Sequence, residues 1–195
     1  RRRRASDRWF RHRGRGVLRH RNAGHRAAGH RLYALRPEPV VPHHRCHAAH
    51  RGPDDWGVWE DPSVGLGLGH QRLSTVDLSP AGHQPMHSDC GRFVLAFNGE
   101  IYNFKEIRDE LKSFGFYFKS NSDSEIIASA FLKWGIKCID KFNGMFSIAI
   151  YDKKNYKVYL IRDRVGIKPL YYSLFNGLLV FSSEISGIIN HSDFK

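Results

Sequence analysis

From residue 92 onward the spacing of apolar positions changes period several times. Arg92-Phe93-Val94-Leu95-Ala96-Phe97 is an apolar run of β type. Phe104 to Phe114 then spaces its apolar residues as an amphipathic helix, and Tyr117-Phe118-Lys119 reads as a short strand. A second helix is predicted from about Asp123 to Trp134. It has a capping-box pattern at Ser122-x-x-Glu125 and a stop at Gly135. Four β-type segments follow as a meander: Met145–Tyr151, Lys157–Arg162, Leu170–Leu174 and Leu178–Ser182. Turn residues at Asp152–Asn155, Gly166–Pro169 and Asn176-Gly177 separate them. A last helix starts near Ser182-Ser183-Glu184. Upstream, Trp56 to Glu60 alternates like a strand, Asp61-Pro62-Ser63 turns the chain, and Val64 to His70 returns. Strands first, two helices in the middle and a closing meander predict an α+β layered fold with antiparallel sheets.

Residues 1–49 break this picture. Arg, His, Gly, Ala and Pro dominate them and no helical or strand period holds, so a disordered basic arm is expected. The formal net charge of +12 belongs to this end. Residues 1–51 carry 15 Arg against Asp7 and Glu38, a net +13, whereas residues 52–195 come to −1. The charge is therefore no nucleic-acid signature of the globular part, and the arm lacks the interleaved aromatics of a base-stacking platform. His43, His44, Cys46 and His47 match no zinc spacing. The arm also reads as GC-rich DNA translated out of frame. Leu18-Arg19-His20-Arg21 can be written CTG CGG CAT CGC, which one base later encodes Cys-Gly-Ile-Ala. With no apolar run of membrane-spanning length and no secretory signal pattern, a cytoplasmic setting is the expectation. Cys46, Cys90 and Cys138 suggest neither a disulfide framework nor a Cys-x-x-Cys metal site.

The candidate chemistry centres on Phe97-Asn98-Gly99-Glu100-Ile101-Tyr102-Asn103. Asn-Gly after an apolar strand reads either as a tight turn or as a side-chain amide and an open backbone N–H aimed into a pocket. Arg72 reads as a surface ion-pair partner or an anion ligand. Asp123 either favours a helix N-terminus through the dipole or holds a ligand's ammonium group. His83, in the irregular loop Ser79–Met86, has no adjacent Ser or Cys nucleophile, and a structural hydrogen bond is expected of it.

Several runs, in order, carry a family resemblance. They are His50-Arg51-Gly52-Pro53-Asp54, Leu68-Gly69-His70-Gln71-Arg72-Leu73-Ser74, Ala81-Gly82-His83-Gln84-Pro85-Met86, and Phe97 to Asn103. Ser122-Asp123-Ser124-Glu125, Phe142-Asn143-Gly144-Met145-Phe146, Arg162 to Tyr172, and Ser182-Ser183-Glu184-Ile185 continue the series. Residues 50–195 thereby resemble the N-terminal, class II glutamine amidotransferase domain of glutamine-hydrolysing asparagine synthetases.

The resemblance implies an N-terminal-nucleophile hydrolase fold, a four-layer sandwich of two antiparallel sheets between helix layers. It implies that L-glutamine is bound with its α-carboxylate on Arg72, against the backbone of Leu73, Ser74, Thr75 and Val76. Asp123 would take the α-ammonium group, with Gly99 and Glu100 at the pocket wall. The Asn98 amide and the Gly99 N–H would form the oxyanion hole. No metal and no cofactor are implied in this domain; ATP and Mg would serve a C-terminal synthetase domain, the domain's expected partner, and whether it forms a homodimer is left open by the sequence. The family's nucleophile is a cysteine at the mature N-terminus, on a first strand of the type Cys-Gly-Ile-Ala-Gly. Residues 1–195 are thus expected to be a fragment lacking that strand and the synthetase domain, without glutaminase activity as they stand. Two other expectations remain beside this one: a class II amidotransferase serving another acceptor, and a catalytically dead glutamine-binding module.

Overall fold

The computed structural model describes residues 55–72, 82–175 and 177–191, with the backbone alone at Arg72. The arm at 1–49, with its His/Cys group, and the stretch Leu73–Val76 lie outside the described residues.

Strand β4 (Phe93–Ile101) is the spine of the fold. Along it, side chains alternate between two apolar environments, as the pleat requires. Phe93, Leu95, Phe97 and Ile101 enter one core with two helices, α1 (Phe104–Ser113) and α2 (Asp123–Trp134), while Val94 and Ala96 face the opposite side. β4 lies between β3 (Met86–His87) and β5 (Gly144–Asp152), and β6 (Lys157–Arg162) completes an antiparallel sheet of order β3-β4-β5-β6. The β4–β5 ladder runs from Phe93 opposite Asp152 to Ile101 opposite Gly144.

Against the second face of this sheet pack two hairpins. One is β1 (Asp55–Asp61) with β2 (Leu66–Arg72). The other is β7 (Tyr171–Phe175) with β8 (Leu178–Ser182). Leu66 and Leu68 from the first hairpin and Leu179 from the second share a core with Val94, Tyr151 and Leu160. Leu178 and Val180, on the outer side of β8, are covered by Ile188 of α3 (Ile185–Ile189). The layers therefore run helices, sheet, hairpin layer, helix, the four-layer order expected. Fully burying one Leu or Ile contributes about 1.5–3 kcal/mol, so these two cores hold the sheet from both sides.

Four local expectations are corrected. Asn98-Gly99 does not end the strand in a turn; both residues stay in β4, opposite Ser147 and Phe146. The β5 ladder supplies partners on that side, so the local turn preference yields to sheet pairing. Tyr117–Lys119 is not a strand: the Lys119 N–H donates to Glu125 Oε1 at 2.8 Å instead of to a neighbouring strand. Glu125 also accepts from the Ser120 N–H and hydroxyl, at 2.9 and 2.6 Å, so it does not reach back to Ser122. The capping box is half made, with Ser122 Oγ accepting from the Ser124 N–H at 3.1 Å. Finally, the loop Ser79–Met86 gives its last residue to β3. The second helix does end at Trp134 with Gly135 as its cap, as expected, and a separate 3-10 segment, Gly135–Lys141, follows it.

Candidate active site

In an antiparallel ladder, each residue directs its N–H and C=O to one neighbouring strand and the next residue directs them to the other. On the edge of β4 away from β5, β3 pairs only with Val94 and Leu95. The reason is in the sequence: Pro85 precedes Met86 and has no N–H to continue the ladder. Side chains take over from there. The Phe97 N–H donates to Gln84 Oε1 at 2.6 Å, and the Phe97 carbonyl accepts from His70 Nε2 at 2.9 Å. Two positions further on the same edge, the Ile101 N–H is 3.3 Å from Asp123 Oδ2 and donates to it.

Gly99 falls between these two filled positions. Alternation points its N–H along the same edge, and among the described residues no side chain bonds it. Its φ is +151°, and an added Cβ would strike the Met145 carbonyl oxygen and lie 2.7 Å from Phe146 Cα. Gly144 answers it from β5, where a Cβ would meet the Glu100 carbonyl oxygen. Only glycine permits this close backbone approach. Asn98 faces the hairpin layer, where its Nδ2 donates to Ser183 Oγ, just beyond β8, at 3.3 Å.

Asp123 opens α2 and is buried. Burial pushes its carboxyl up to about 6; the N–H groups of Ile101, Ser124 and Asp123 itself oppose that rise, and the nearby Glu100 charge adds to it. The donors it has do not make up for the water it has lost, so the carboxylate is suited to a cationic ligand.

Gly99 and Asp123 are thus brought to one edge of β4, with the Glu100 charge close to Asp123, while the Asn98 side chain faces the hairpin layer. Arg72 ends β2 two residues beyond His70, about 7 Å along the strand. Its side chain and Leu73–Val76 lie outside the described residues. Three residues in contact with this edge carried no role in the sequence reading: Gln84, His70 and Ser183. Each sits inside a run that carries the resemblance, but nothing in composition or spacing separates them from their neighbours. His83 has the expected structural bond, Nδ1 to Asp55 Oδ2 at 2.7 Å. Cys138 lies in the helix-side core, where burial pushes its thiol up to about 12, far from thiolate chemistry.

A second buried carboxylate behaves differently. Asp163, just after β6, accepts from the N–H groups of Phe146 (3.2 Å), Gly166 (2.5 Å), Ile167 (2.9 Å) and Lys168 (2.9 Å). Burial alone would raise its pKa, but these donors outweigh it and hold the carboxyl below the usual range. The Arg162 guanidinium closes the same loop from outside, donating to the carbonyls of Lys168 and Gly166 at 2.7 Å each.

Comparison with known proteins gives a consistent result. Residues 28–195 match the profile of the family described as glutamine amidotransferase domain. A protein named asparagine synthetase [glutamine-hydrolyzing] 2 of Bacillus subtilis is 44% identical over 143 residues, covering 73% of this chain and 18% of the relative. Asparagine synthetase [glutamine-hydrolyzing] 3 of the same organism is 37% identical over 147 residues, covering 74% of this chain and 24% of the relative. The chain therefore spans about a quarter or less of these relatives' length. Among solved structures, the glutamine phosphoribosylpyrophosphate amidotransferase of B. subtilis superposes with a TM-score of 0.54 at 23% identity. That match covers 63% of this chain and 28% of the other. The likeness extends to the fold.

Proposed function

Because this chain belongs to the glutamine amidotransferase domain family, we propose that its β4 edge binds free L-glutamine and that it serves as the ammonia-supplying part of an asparagine-synthetase-type enzyme. Its architecture is the N-terminal-nucleophile hydrolase sandwich. The observation that carries the reading is the edge itself. An N–H taken by no described side chain, at Gly99, follows Asn98 along the strand and stands two residues before Ile101, whose N–H bonds the buried Asp123 carboxylate.

Each part has a chemical task in this reading. Asp123 takes the α-ammonium group and Arg72 the α-carboxylate, with the backbone of Leu73–Val76 and Glu100 completing the wall. The nucleophile in this reading is the N-terminal cysteine of a Cys-Gly-Ile-Ala-Gly strand, which does not occur in residues 1–195; its own α-amine accepts the thiol proton as sulfur adds to the glutamine Cδ. Negative charge then develops on the former amide oxygen, where Asn98 Nδ2 and the Gly99 N–H meet it. Collapse expels ammonia with that proton, and water cleaves the thioester to glutamate. Removing one such oxyanion donor, as in Asn98→Ala, costs about 10²–10³ in rate. Aspartate would be the acceptor, activated with ATP and Mg in a part of the protein outside this chain, in the cytoplasm. No helix among the described residues is long and apolar enough to cross a membrane.

The test pairs two measurements. L-Glutamine is titrated into the chain calorimetrically, and ammonia release is assayed in a form whose residues 1–49 are replaced by a Cys-Gly-Ile-Ala-Gly strand. Binding, and ammonia release that Asn98→Ala suppresses, are expected. No binding and no ammonia overturn the reading; binding without ammonia leaves a glutamine-binding module.

A further inference from the structure

We propose that Gln84 is a positioning residue that fixes the distance between the two ends of the site and so sets the length of amino acid accepted. The inference rests on the glutamine-binding reading above. Gln84 is 6% exposed, and both ends of its amide are engaged. Oε1 accepts from the Phe97 N–H at 2.6 Å, and Nε2 donates to Ser124 Oγ at 3.2 Å. Phe97 is the residue before Asn98, and Ser124 is the residue after Asp123. One side chain therefore ties the neighbour of the oxyanion donors to the neighbour of the ammonium-binding carboxylate.

Glutamine suits this place. The Phe97 N–H needs an acceptor and the Ser124 hydroxyl is offered a donor; a single neutral amide supplies both. Asparagine would fall one methylene short, and glutamate would bring a second buried negative charge beside Asp123. The substrate problem has the same scale. L-Asparagine differs from L-glutamine by one methylene, about 1.3 Å of reach, so discrimination requires the two ends of the site to be held within less than that. Apolar packing joins α2 to β4, as Phe93 does against Phe131, but among the described residues the one direct hydrogen bond between them is the 3.3 Å bond from Ile101 to Asp123. His70, donating to the Phe97 carbonyl, steadies the strand but does not reach the helix.

L-Glutamine and L-asparagine are titrated into the full chain, into Gln84→Met, which keeps the bulk but loses both bonds, and into Ser124→Ala, which removes only the helix-side anchor. The parent should prefer glutamine by about 10–200-fold, the worth of one methylene in a fitted pocket. The preference should fall to about threefold or less in Gln84→Met and to an intermediate value in Ser124→Ala. Should Gln84→Met fail to fold, Ser124→Ala decides, since it leaves the Phe97 anchor in place. An unchanged glutamine-to-asparagine ratio in a folded variant, even with weaker binding of both, shows that Gln84 only supports the fold and overturns the proposal. A parent that binds neither amino acid overturns the glutamine reading itself, and this inference with it.

Discussion

Asp123 and Asp163 are both 6% exposed, yet they stand on opposite sides of the ordinary aspartate range. Asp163 is saturated: four backbone N–H groups converge on its two oxygens, so ionisation is favoured inside the protein. Asp123 has lost the same water, and the N–H groups of Ile101, at 3.3 Å, of Ser124 and of Asp123 itself do not make up the loss, with Glu100 close by to oppose its charge. The solvent exposure is equal, but Asp123 lies deeper among protein atoms and its donors offset less of that burial. A buried carboxylate that its own chain satisfies holds a loop together; one left short of donors stabilises the folded state only when something else brings positive charge.

The sharpest way to break this comparison is to remove the saturated member. Asp163→Ala leaves four N–H groups without their acceptor and should destabilise the protein by about 3–5 kcal/mol, read as a fall in the urea midpoint at pH 7. Because the folded pKa of Asp163 lies below the unfolded value, the stability it contributes is present above the unfolded pKa and is lost as pH falls through the folded one. The penalty should accordingly shrink in acid.

Asp123→Asn should do the reverse. Its folded pKa of about 6 exceeds the ordinary 3.8, so protonation favours the fold. The group's contribution is complete below the unfolded pKa and is lost as pH rises through 6. The variant, neutral throughout, should match the parent near pH 4 and exceed it by about 1–3 kcal/mol at pH 8. Glutamine affinity should meanwhile fall by about 100-fold or more, the loss of a charged partner in a buried site. Paired urea curves at pH 4 and 8 check the first effect and calorimetry the second. If Asp123→Asn destabilised the protein at pH 8 as Asp163→Ala does, the distinction between the two carboxylates would be wrong.

A third carboxylate is also held below the usual range, with more donors than it needs. Asp152 is gripped by Arg92 through two bonds, at 2.9 and 2.7 Å, and also accepts from Asn155 Nδ2 at 2.8 Å and the Lys154 N–H at 3.1 Å. Burial raises its pKa, but the Arg92 and Asn155 bonds more than offset that. With donors to spare, Arg92→Ala should cost only about 1–2 kcal/mol in a thermal or urea melt, the smallest of the three effects.

How far the site was legible in the sequence varies residue by residue. Asn98, Gly99 and Asp123 were singled out through the runs around them, whose order matches a family's. Their surroundings were not. Phe97-Asn98-Gly99 carries a strong local turn signal, and only the β5 ladder, with Gly144 giving way to the Glu100 carbonyl, keeps it extended. Glu125 has the spacing of a capping-box partner, but the nearby N–H groups of Lys119 and Ser120 capture it first. Gln84 left no periodic mark, since its two partners are distant in sequence and lie on different elements.

By itself, the order of residues determined the succession of strands and helices, the faces they bury and the family they belong to. Burial is periodic along a strand or helix, so period can be read from a line of letters. What only the folded chain decided was which edge of β4 stays open, which side chains fill it at Phe97 and Ile101, and whether a buried aspartate is satisfied or waiting. Those depend on hydrogen-bond donors arriving from segments remote in sequence, and a donor's arrival is a matter of three-dimensional position.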